Sequence, residues 1–409
     1  MKANAGILVR KGSWAVADQI LSSGTNFAAG IIVARFLGPM EFGSYVVAYS
    51  ASMVVLSFVR SFAVDPYIIK ASPLAKDLRE DMTKKASGLV LIGSGIGSIV
   101  MILMAFVIGG PTREALLTMA LVLPGLFLQD FWRQTSFASG EPKRAFANDL
   151  VWTFAQVCSF LIVWTWFHIT TTSTILAWGA GALGGALYGF MQFRIFPVIG
   201  RQTYQWMKQI AVVGGWFGIT NALYSTGNFI VSILIASICG RSNLGGFQIV
   251  NNLFSPSQVV TTAGQAVGLP MLSRAHATAG SSGIRRGAMI YTLIVGGVLT
   301  AYGCIILAFG PFLLSTVFGK AYLEFHFLVL PCALVFLLNA WASGAVIGLI
   351  AMASGRALLF VQAAIFAVQI PLLILLSNRY GVAGAAWAAA AGAAVRFILI
   401  WAKCRAATV

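Results

Sequence analysis

An all-α polytopic membrane protein of about twelve transmembrane helices, arranged as two pseudo-symmetric six-helix lobes, follows from three features of the sequence. Hydrophobic residues make up 59% of the 409 residues and charged residues only 9%, whereas a soluble chain carries roughly 25% charged residues to cover its surface. The apolar residues form long runs along the whole chain, with a mean hydropathy of +0.87, so a single anchor on a soluble domain does not describe it. The first and seventh of these runs also repeat one another in sequence.

Runs of about 20 apolar residues are long enough to cross hydrocarbon as helices. Twelve are read, at 14–36, 41–62, 86–109, 115–137, 148–168, 174–194, 210–238, 247–269, 288–309, 327–350, 357–377 and 383–402. Irregular backbone cannot face lipid, and continuous apolar runs exclude the alternating pattern of a barrel. Lys2, Arg10 and Lys11 precede the first run, but from Trp14 to Phe36 that run is too long for a signal-peptide core of about 7 to 15 residues. It is read as the first, uncleaved span.

With the amino terminus inside, 22 of the 27 Lys and Arg residues fall on cytoplasmic segments and helix ends, leaving Arg35, Arg113, Arg241, Lys320 and Arg379 outside. The positive-inside rule then places both termini in the cytoplasm. The net charge of +16 is thus a topological signal, and nucleic acid is not expected as a partner because no soluble basic face exists. The longest loops, Lys70–Lys85 inside and Gly310–His326 outside, leave no room for a separate soluble domain. Only Glu41, Glu114 and Glu324 lie outside, which disfavours a glycosyltransferase or polymerase and argues against an enzyme. The five cysteines have neither paired spacing nor nearby histidines, so no disulfide framework, metal or cofactor is expected.

Sliding the chain on itself by 202 residues aligns Trp14 with Trp216, Leu21 with Leu223, Ser23 with Ser225, Asn26 with Asn228 and Phe27 with Phe229. Ile31 with Ile233, Ala34 with Ala236, Gly38 with Gly240 and Gly43 with Gly245 complete nine identities in thirty positions, where chance gives about two or three. The repeat divides the chain into 1–200, with spans 1–6, and 201–409, with spans 7–12. Both halves enter the membrane in the same sense, as in transporters whose halves rock around a midplane site.

Polar side chains are costly in hydrocarbon and normally face protein or a hydrated cavity. In the first span Asp18, Gln19, Ser22, Ser23, Thr25 and Asn26 fall within an arc of roughly 160°. The seventh carries Asn221, Ser225, Asn228 and Ser232, and the eighth Gln248, Asn251, Asn252, Ser255, Gln258 and Thr262. Any one Ser or Thr fits interhelical hydrogen bonding, while the three stripes together fit a cavity. Asn26, Asn228, Asn251 and Asn252 are therefore candidate substrate contacts.

Ionisable groups at depth are few and mark function. Asp18, Asp130 and Asp149 are candidate coupling-ion residues. Asp130 and Arg133, three apart, can pair along their own helix, whereas Asp18 has no partner in its own span. After Asp149 the only acid is Glu324, a composition that suits an anionic substrate. Arg35, Arg60, Arg133 and Arg396 are candidate phosphate contacts because a guanidinium binds phosphate oxygens in pairs; taken singly, each also fits a snorkelling role. Phe131, Trp132, Trp152, Trp164 and Trp166 are candidates for stacking on sugars or for anchoring at the membrane interface.

Asp18-Gln19 with Ser22-Ser23 and Asn26-Phe27, Ala34-Arg35-Phe36-Leu37-Gly38-Pro39, and Gln129-Asp130-Phe131-Trp132-Arg133 carry a family resemblance. Ser139-Gly140-Glu141-Pro142-Lys143-Arg144-Ala145, Phe318-Gly319-Lys320-Ala321-Tyr322 and Tyr380-Gly381-Val382-Ala383-Gly384 extend it. The chain resembles the polysaccharide-transporter branch of the multidrug/oligosaccharidyl-lipid/polysaccharide (MOP) exporter superfamily, which includes O-antigen flippases. The resemblance implies a MATE-like fold in a bacterial inner membrane and export of a lipid-linked oligosaccharide or polysaccharide by alternating access. It further implies undecaprenyl-pyrophosphate-linked saccharide and membrane lipids as partners, together with other polysaccharide assembly proteins. Multidrug export, peptidoglycan-precursor flipping and a membrane glycosyltransferase or polymerase are the rival readings.

Overall fold

Glycines of positive φ, at Gly38, Gly109, Gly140, Gly240, Gly280, Gly319 and Gly381 among others, mark where the chain turns between apolar runs. The structure, a computed structural model, describes residues 2–210 and 215–407. All regular structure among these residues is helical. The helices are α1 (Lys2–Val59), α2 (Asp65–Ala71), α3 (Lys76–Ile108), α4 (Gly110–Ala138), α5 (Pro142–Trp166), α6 (Thr171–Phe193), α7 (Arg201–Ile210), α8 (Gly215–Ile238), α9 (Arg241–Asn252), α10 (Ser257–Leu313), α11 (Val329–Ala351) and α12 (Gly355–Ala406). Short π-helical turns cover Arg60–Val64 and Leu314–Phe318, and a 3₁₀ segment covers Lys320–Leu328.

Three of these helices are interrupted at a glycine whose positive φ other residues avoid: Gly38 (70°), Gly280 (59°) and Gly381 (59°). At Gly280 the chain doubles back, so Leu272 packs with Ala288 and Tyr291. At Gly381 it does so again, bringing Val361 beside Ile400 and Cys404. Pro39 follows Gly38 as the opening residue of the second arm of α1, a position where its missing N–H costs nothing. Among the described residues nine stretches are long and apolar enough to cross a membrane. Counting the arms of α1 and α12 on either side of Gly38 and Gly381 separately makes eleven, and the arm of α10 before Gly280 stands where the eighth expected span falls.

The chain divides into two compact units, one of Met1–Asn26 with Val47–Ser225, the other of Phe27–Val46 with Thr226–Val409. Small residues set the packing of the first unit, as is usual where membrane helices approach closely. A Cβ on Gly97 would run into Val55, and one on Gly185 would lie 2.7 Å from Gln129 Cγ. On α6, Gly181, Gly185 and Gly189 form one stripe against Trp152, Gln129 and Trp132.

In the second unit the internal repeat appears as a reciprocal contact. A Cβ on Gly43 would overlap the carbonyl of Arg241, and a Cβ on Gly245 would overlap the carbonyl of Pro39. Residues 39 and 241, like 43 and 245, are mates at the 202-residue offset, so the two turns present matching residues to each other, as in a local two-fold contact. Their turn glycines match as well, with φ of 70° at Gly38 and 92° at Gly240. Arg241 Nη1 closes the contact by donating to Ser44 Oγ at 3.0 Å.

Two sequence expectations change. The Lys70–Lys85 segment is helical from Lys76 onward, because its charges alternate in sign and pair along the helix, as Lys85 does with Asp81 at 2.5 Å. The eighth span breaks at 253–256, where Pro256 lacks the N–H that would bond to Asn252 and disfavours helix in the residue before it.

Substituting valine at Gly43 or Gly245 is expected to lower the thermal unfolding midpoint of the purified protein, with overpacking costing about 1–3 kcal/mol. Gly24→Ala, where no atom lies within 4 Å of the added carbon, is the matched control. Unchanged midpoints at both valine variants would contradict the reciprocal contact.

Candidate functional site

The first unit buries a charge cluster built by α1, α4 and α5. Arg133, on the face of α4 one turn beyond Asp130, donates to Asp18 Oδ2 from Nη2 at 2.6 Å and from Nε at 3.0 Å. Its Nε also lies 3.1 Å from Asp149 Oδ2, an ion-pair contact without hydrogen-bond alignment. Asp18 is fully buried and Asp149 nearly so. Gln129 Nε2 spans the base of the cluster, donating to Asp149 Oδ1 at 2.8 Å and Asn148 Oδ1 at 3.0 Å, and Asn148 Nδ2 in turn donates to the Gly185 carbonyl at 2.8 Å. The α6 glycine stripe allows that last approach. Two carboxylates thus share one guanidinium, leaving a formal surplus of one negative charge.

The turn into α5 positions Asn148 and Asp149. Gly140 takes a φ of 68°, Pro142 opens the helix, and Glu141 holds Arg144 at 2.8 Å. A second pair stands beside the cluster: Arg60 grips Asp130 through Nε at 2.9 Å and Nη2 at 2.5 Å. Arg60 opens the π-helical turn Arg60–Val64, a distortion that frequently accompanies functional sites. Since residues 18 and 60 both bond to side chains three apart on α4, the chain has reversed between them at Gly38.

The second unit contains a cavity of about 350 Å³, at the small end of the range that ligand pockets occupy. Asn251, Gln258, Thr261, Gln265, Asn339, Ser343 and Arg396 supply its polar wall, and Phe254 and Phe336 part of its apolar wall. The two rings pack in a tilted arrangement with centroids 4.9 Å apart. Among the described residues no carboxylate lines it. Asn339 Oδ1 is buried without a hydrogen-bond partner among the described residues, an acceptor left for a ligand or solvent donor. The break between α9 and α10 borders the cavity through Phe254, Ser255 and Ser257. Irregular backbone at membrane depth is tolerated where it lines such a space. Its local bonds, Phe254 N to Asn251 O at 3.0 Å and Gln258 N to Ser255 O at 2.9 Å, keep the turn satisfied.

The profile of the family described as "Polysaccharide biosynthesis protein" matches residues 8–276, more than half of the sequence. The chain belongs to this family. A search of curated proteins finds no match. Among solved structures, the fold is similar to that of an inward-facing multidrug resistance MATE family transporter of the MOP superfamily, with a TM-score of 0.71 at 14% identity, covering 95% of this chain and 94% of that one. It is equally similar to the lipid II flippase MurJ in an inward closed conformation, with a TM-score of 0.72 at 9% identity, covering 95% and 87%. A MOP superfamily transporter from Pyrococcus furiosus, described as having a binding pocket of reverse polarity, gives 0.66 at 14% identity over 98% and 96%. This member of the polysaccharide biosynthesis family is therefore a multi-pass membrane protein with a MOP transporter fold.

Against that fold, the residues singled out in the sequence separate into groups. Asp18, Arg133 and Asp149 come together, and Arg60 joins Asp130 beside them, so Arg133 is paired across helices rather than with its own neighbour Asp130. Asn251 and Arg396 line the cavity of the second unit. Asn252 accepts from Gln248 Nε2 at 3.1 Å. Asn26 and Asn228 are exposed on α1 and α8. Arg35 is exposed and reaches the Thr316 carbonyl at 3.4 Å. Phe131 and Trp132 are fully buried, with Trp132 stacked on Phe193 at 5.5 Å, so they are core rather than sugar platforms. Trp164 and Trp166 are exposed. Sequence reading passed over Gln265, Asn339 and Ser343; only their polarity inside apolar runs marked them.

Removing one partner of a buried ion pair costs about 3–5 kcal/mol, because the other charge stays stranded. Arg133→Gln is therefore expected to lower the unfolding midpoint by more than Arg60→Gln does, since the Arg60 side chain is 40% exposed and that of Arg133 only 13%. Equal effects would show that the cluster carries no special burden.

Proposed function

We propose that this protein flips an undecaprenyl-pyrophosphate-linked oligosaccharide or polysaccharide precursor across a bacterial inner membrane by alternating access, for cell-surface polysaccharide biosynthesis. Residues 1–200 and 201–409 act as the two lobes, and both termini face the cytoplasm. The single observation that carries this reading is the cavity of the second unit, where carboxamides and hydroxyls surround Arg396 without a carboxylate. Amides and hydroxyls suit sugar hydroxyls, and a guanidinium suits a phosphate or sugar carboxylate. The polar headgroup cannot cross about 30 Å of hydrocarbon unaided, so such a wall answers the physical problem the substrate poses.

The membership in the polysaccharide biosynthesis family supports a saccharide cargo. The likeness to a lipid II flippase supports, at the level of fold, a lipid-linked one. A multidrug exporter shares the fold, but a cationic drug finds no counter-charge in this cavity.

In the first unit, the surplus carboxylate of the Asp18, Arg133 and Asp149 cluster is a seat for a proton or monovalent cation. Arg133 holds both carboxylates at one level, and a bound cation or proton balances the remaining charge. Moving one such charge through 100 mV releases about 2.3 kcal/mol, enough to bias a cycle between two conformations. Arg60 and Asp130 satisfy each other and hold the first unit together beside that seat.

In proteoliposomes carrying a lipid-linked oligosaccharide, Arg396→Gln is expected to reduce flipping at least tenfold, the loss of about 1.4 kcal/mol for one charge-assisted hydrogen bond, with abundance and insertion unchanged. Asn339→Leu is expected to act in the same direction. Full activity in both variants would remove the cavity from the transport path, and cation-stimulated dye efflux by the wild type would replace the saccharide reading with multidrug export.

A further inference from the structure

The segment that leaves α6 carries a basic surface that the transport reading does not use. α6 ends at Arg194, which caps it in the left-handed conformation with a φ of 52°. An extended stretch then runs to α7 and is pinned to α3: Val198 N donates to the Lys84 carbonyl at 3.0 Å, and Thr203 Oγ1 donates to the Val198 carbonyl at 2.5 Å. Since α6 is a membrane-spanning stretch, the residues that follow its end lie at the membrane surface.

α7 is amphipathic. Thr203 and Trp206 are buried on one side, while Arg201, Gln202, Gln205 and Lys208 are exposed on the other. Lys84 and Arg194 are exposed as well, and among the described residues none of these four bases is ion-paired. The acids within one turn of Lys84 on α3 pair with other bases, Asp81 with Lys85 at 2.5 Å and Glu80 with Lys76 at 3.9 Å. Bulky apolar side chains stand exposed in the same stretch: Phe196 at 75%, Ile199 at 63% and Tyr204 at 53%. Lys208 Nζ lies 4.7 Å from the Tyr204 ring centroid, an aromatic and a base sharing one edge.

We propose that Lys84, Arg194, Arg201 and Lys208 form a binding surface for anionic phospholipid headgroups, with Phe196, Ile199 and Tyr204 set against the acyl-chain boundary. A short amphipathic helix with bases on its polar side and bulky residues at its edge is suited to the headgroup layer. Each base near an anionic leaflet adds attraction that decays within a Debye length. Charge complementarity selects phosphatidylglycerol over zwitterionic lipid, and the exposed apolar side chains select a lipid over free phosphate. The surface is separate from the cavity of the second unit and from the Asp18 cluster, so it stands whatever the cargo is.

The test uses the full chain purified in neutral detergent. Phosphatidylglycerol is expected to raise the unfolding midpoint and to remain attached in native mass spectra, while phosphatidylcholine does neither. The triple variant Arg194→Gln, Arg201→Gln, Lys208→Gln is expected to lose the response, its apparent affinity for phosphatidylglycerol falling on the order of a hundredfold. Arg194→Lys with Arg201→Lys retains it, which separates charge from folding. Arg285→Gln with Arg286→Gln, in the second unit, also retains it. Wild-type binding of phosphatidylcholine equal to that of phosphatidylglycerol would overturn the proposal. So would an undiminished response in the triple variant, a matching loss in the Arg285 and Arg286 variant, or the same stabilisation by inorganic phosphate.

Discussion

Hydrocarbon does not solvate charge, and the first unit is arranged around that constraint. Arg133 is held between Asp18 and Asp149 at contacts of 2.6 and 3.1 Å, which ties α1, α4 and α5 at one depth. The glycine stripe of α6 then permits Asn148 to reach the Gly185 carbonyl, and Gln129 links Asn148 to Asp149. Any of these groups left alone would be a buried charge or an unmet hydrogen bond, each costly in a low-dielectric interior. These contacts tie α1, α4, α5 and α6 to one another within the unit.

The two halves of the sequence keep a common backbone plan and diverge in chemistry. Gly38 and Gly240 turn the chain alike, and Gly43 and Gly245 make reciprocal contacts. The carboxylates, however, are concentrated in the first half, and after Asp149 only Glu324 remains. One unit thus carries an ionic cluster of two carboxylates on one guanidinium, and the other a polar cavity with a single guanidinium and, among the described residues, no carboxylate in its lining.

The fold was largely legible in the sequence because the bilayer imposes length and polarity on every span. Gly38-Pro39 and the 202-residue repeat marked turns that the structure places at those residues. The break at 253–256 was less visible, since Ser255-Pro256 is a local signal inside a run whose composition still reads as one helix. α7 escaped the span criterion because it is short and half polar. For the site, helical periodicity showed that Asp18 belongs to a polar face, but periodicity within one helix says nothing of which neighbour that face meets. Asp130 and Arg133 illustrate the point: three residues apart, they turn to different partners, Arg60 for one and Asp18 with Asp149 for the other. Phe131 and Trp132 were equally ambiguous, because an aromatic residue that packs the core and one that faces a sugar look alike in sequence. Asn339 and Ser343 join Arg396 at the cavity only through tertiary packing.

The most direct measurement of the central claim, a hydrated polar cavity within the second unit, is thiol accessibility. In a cysteine-free background, Gln258→Cys on the cavity wall and Ile294→Cys on an exposed apolar face would be treated in sealed membranes with a membrane-impermeant maleimide applied from each side. The expected result is labelling at position 258, slowed by a lipid-linked saccharide, and none at position 294. Labelling absent at 258 from both sides, or equal at the two positions, would contradict a water-filled cavity and the transport route that depends on it.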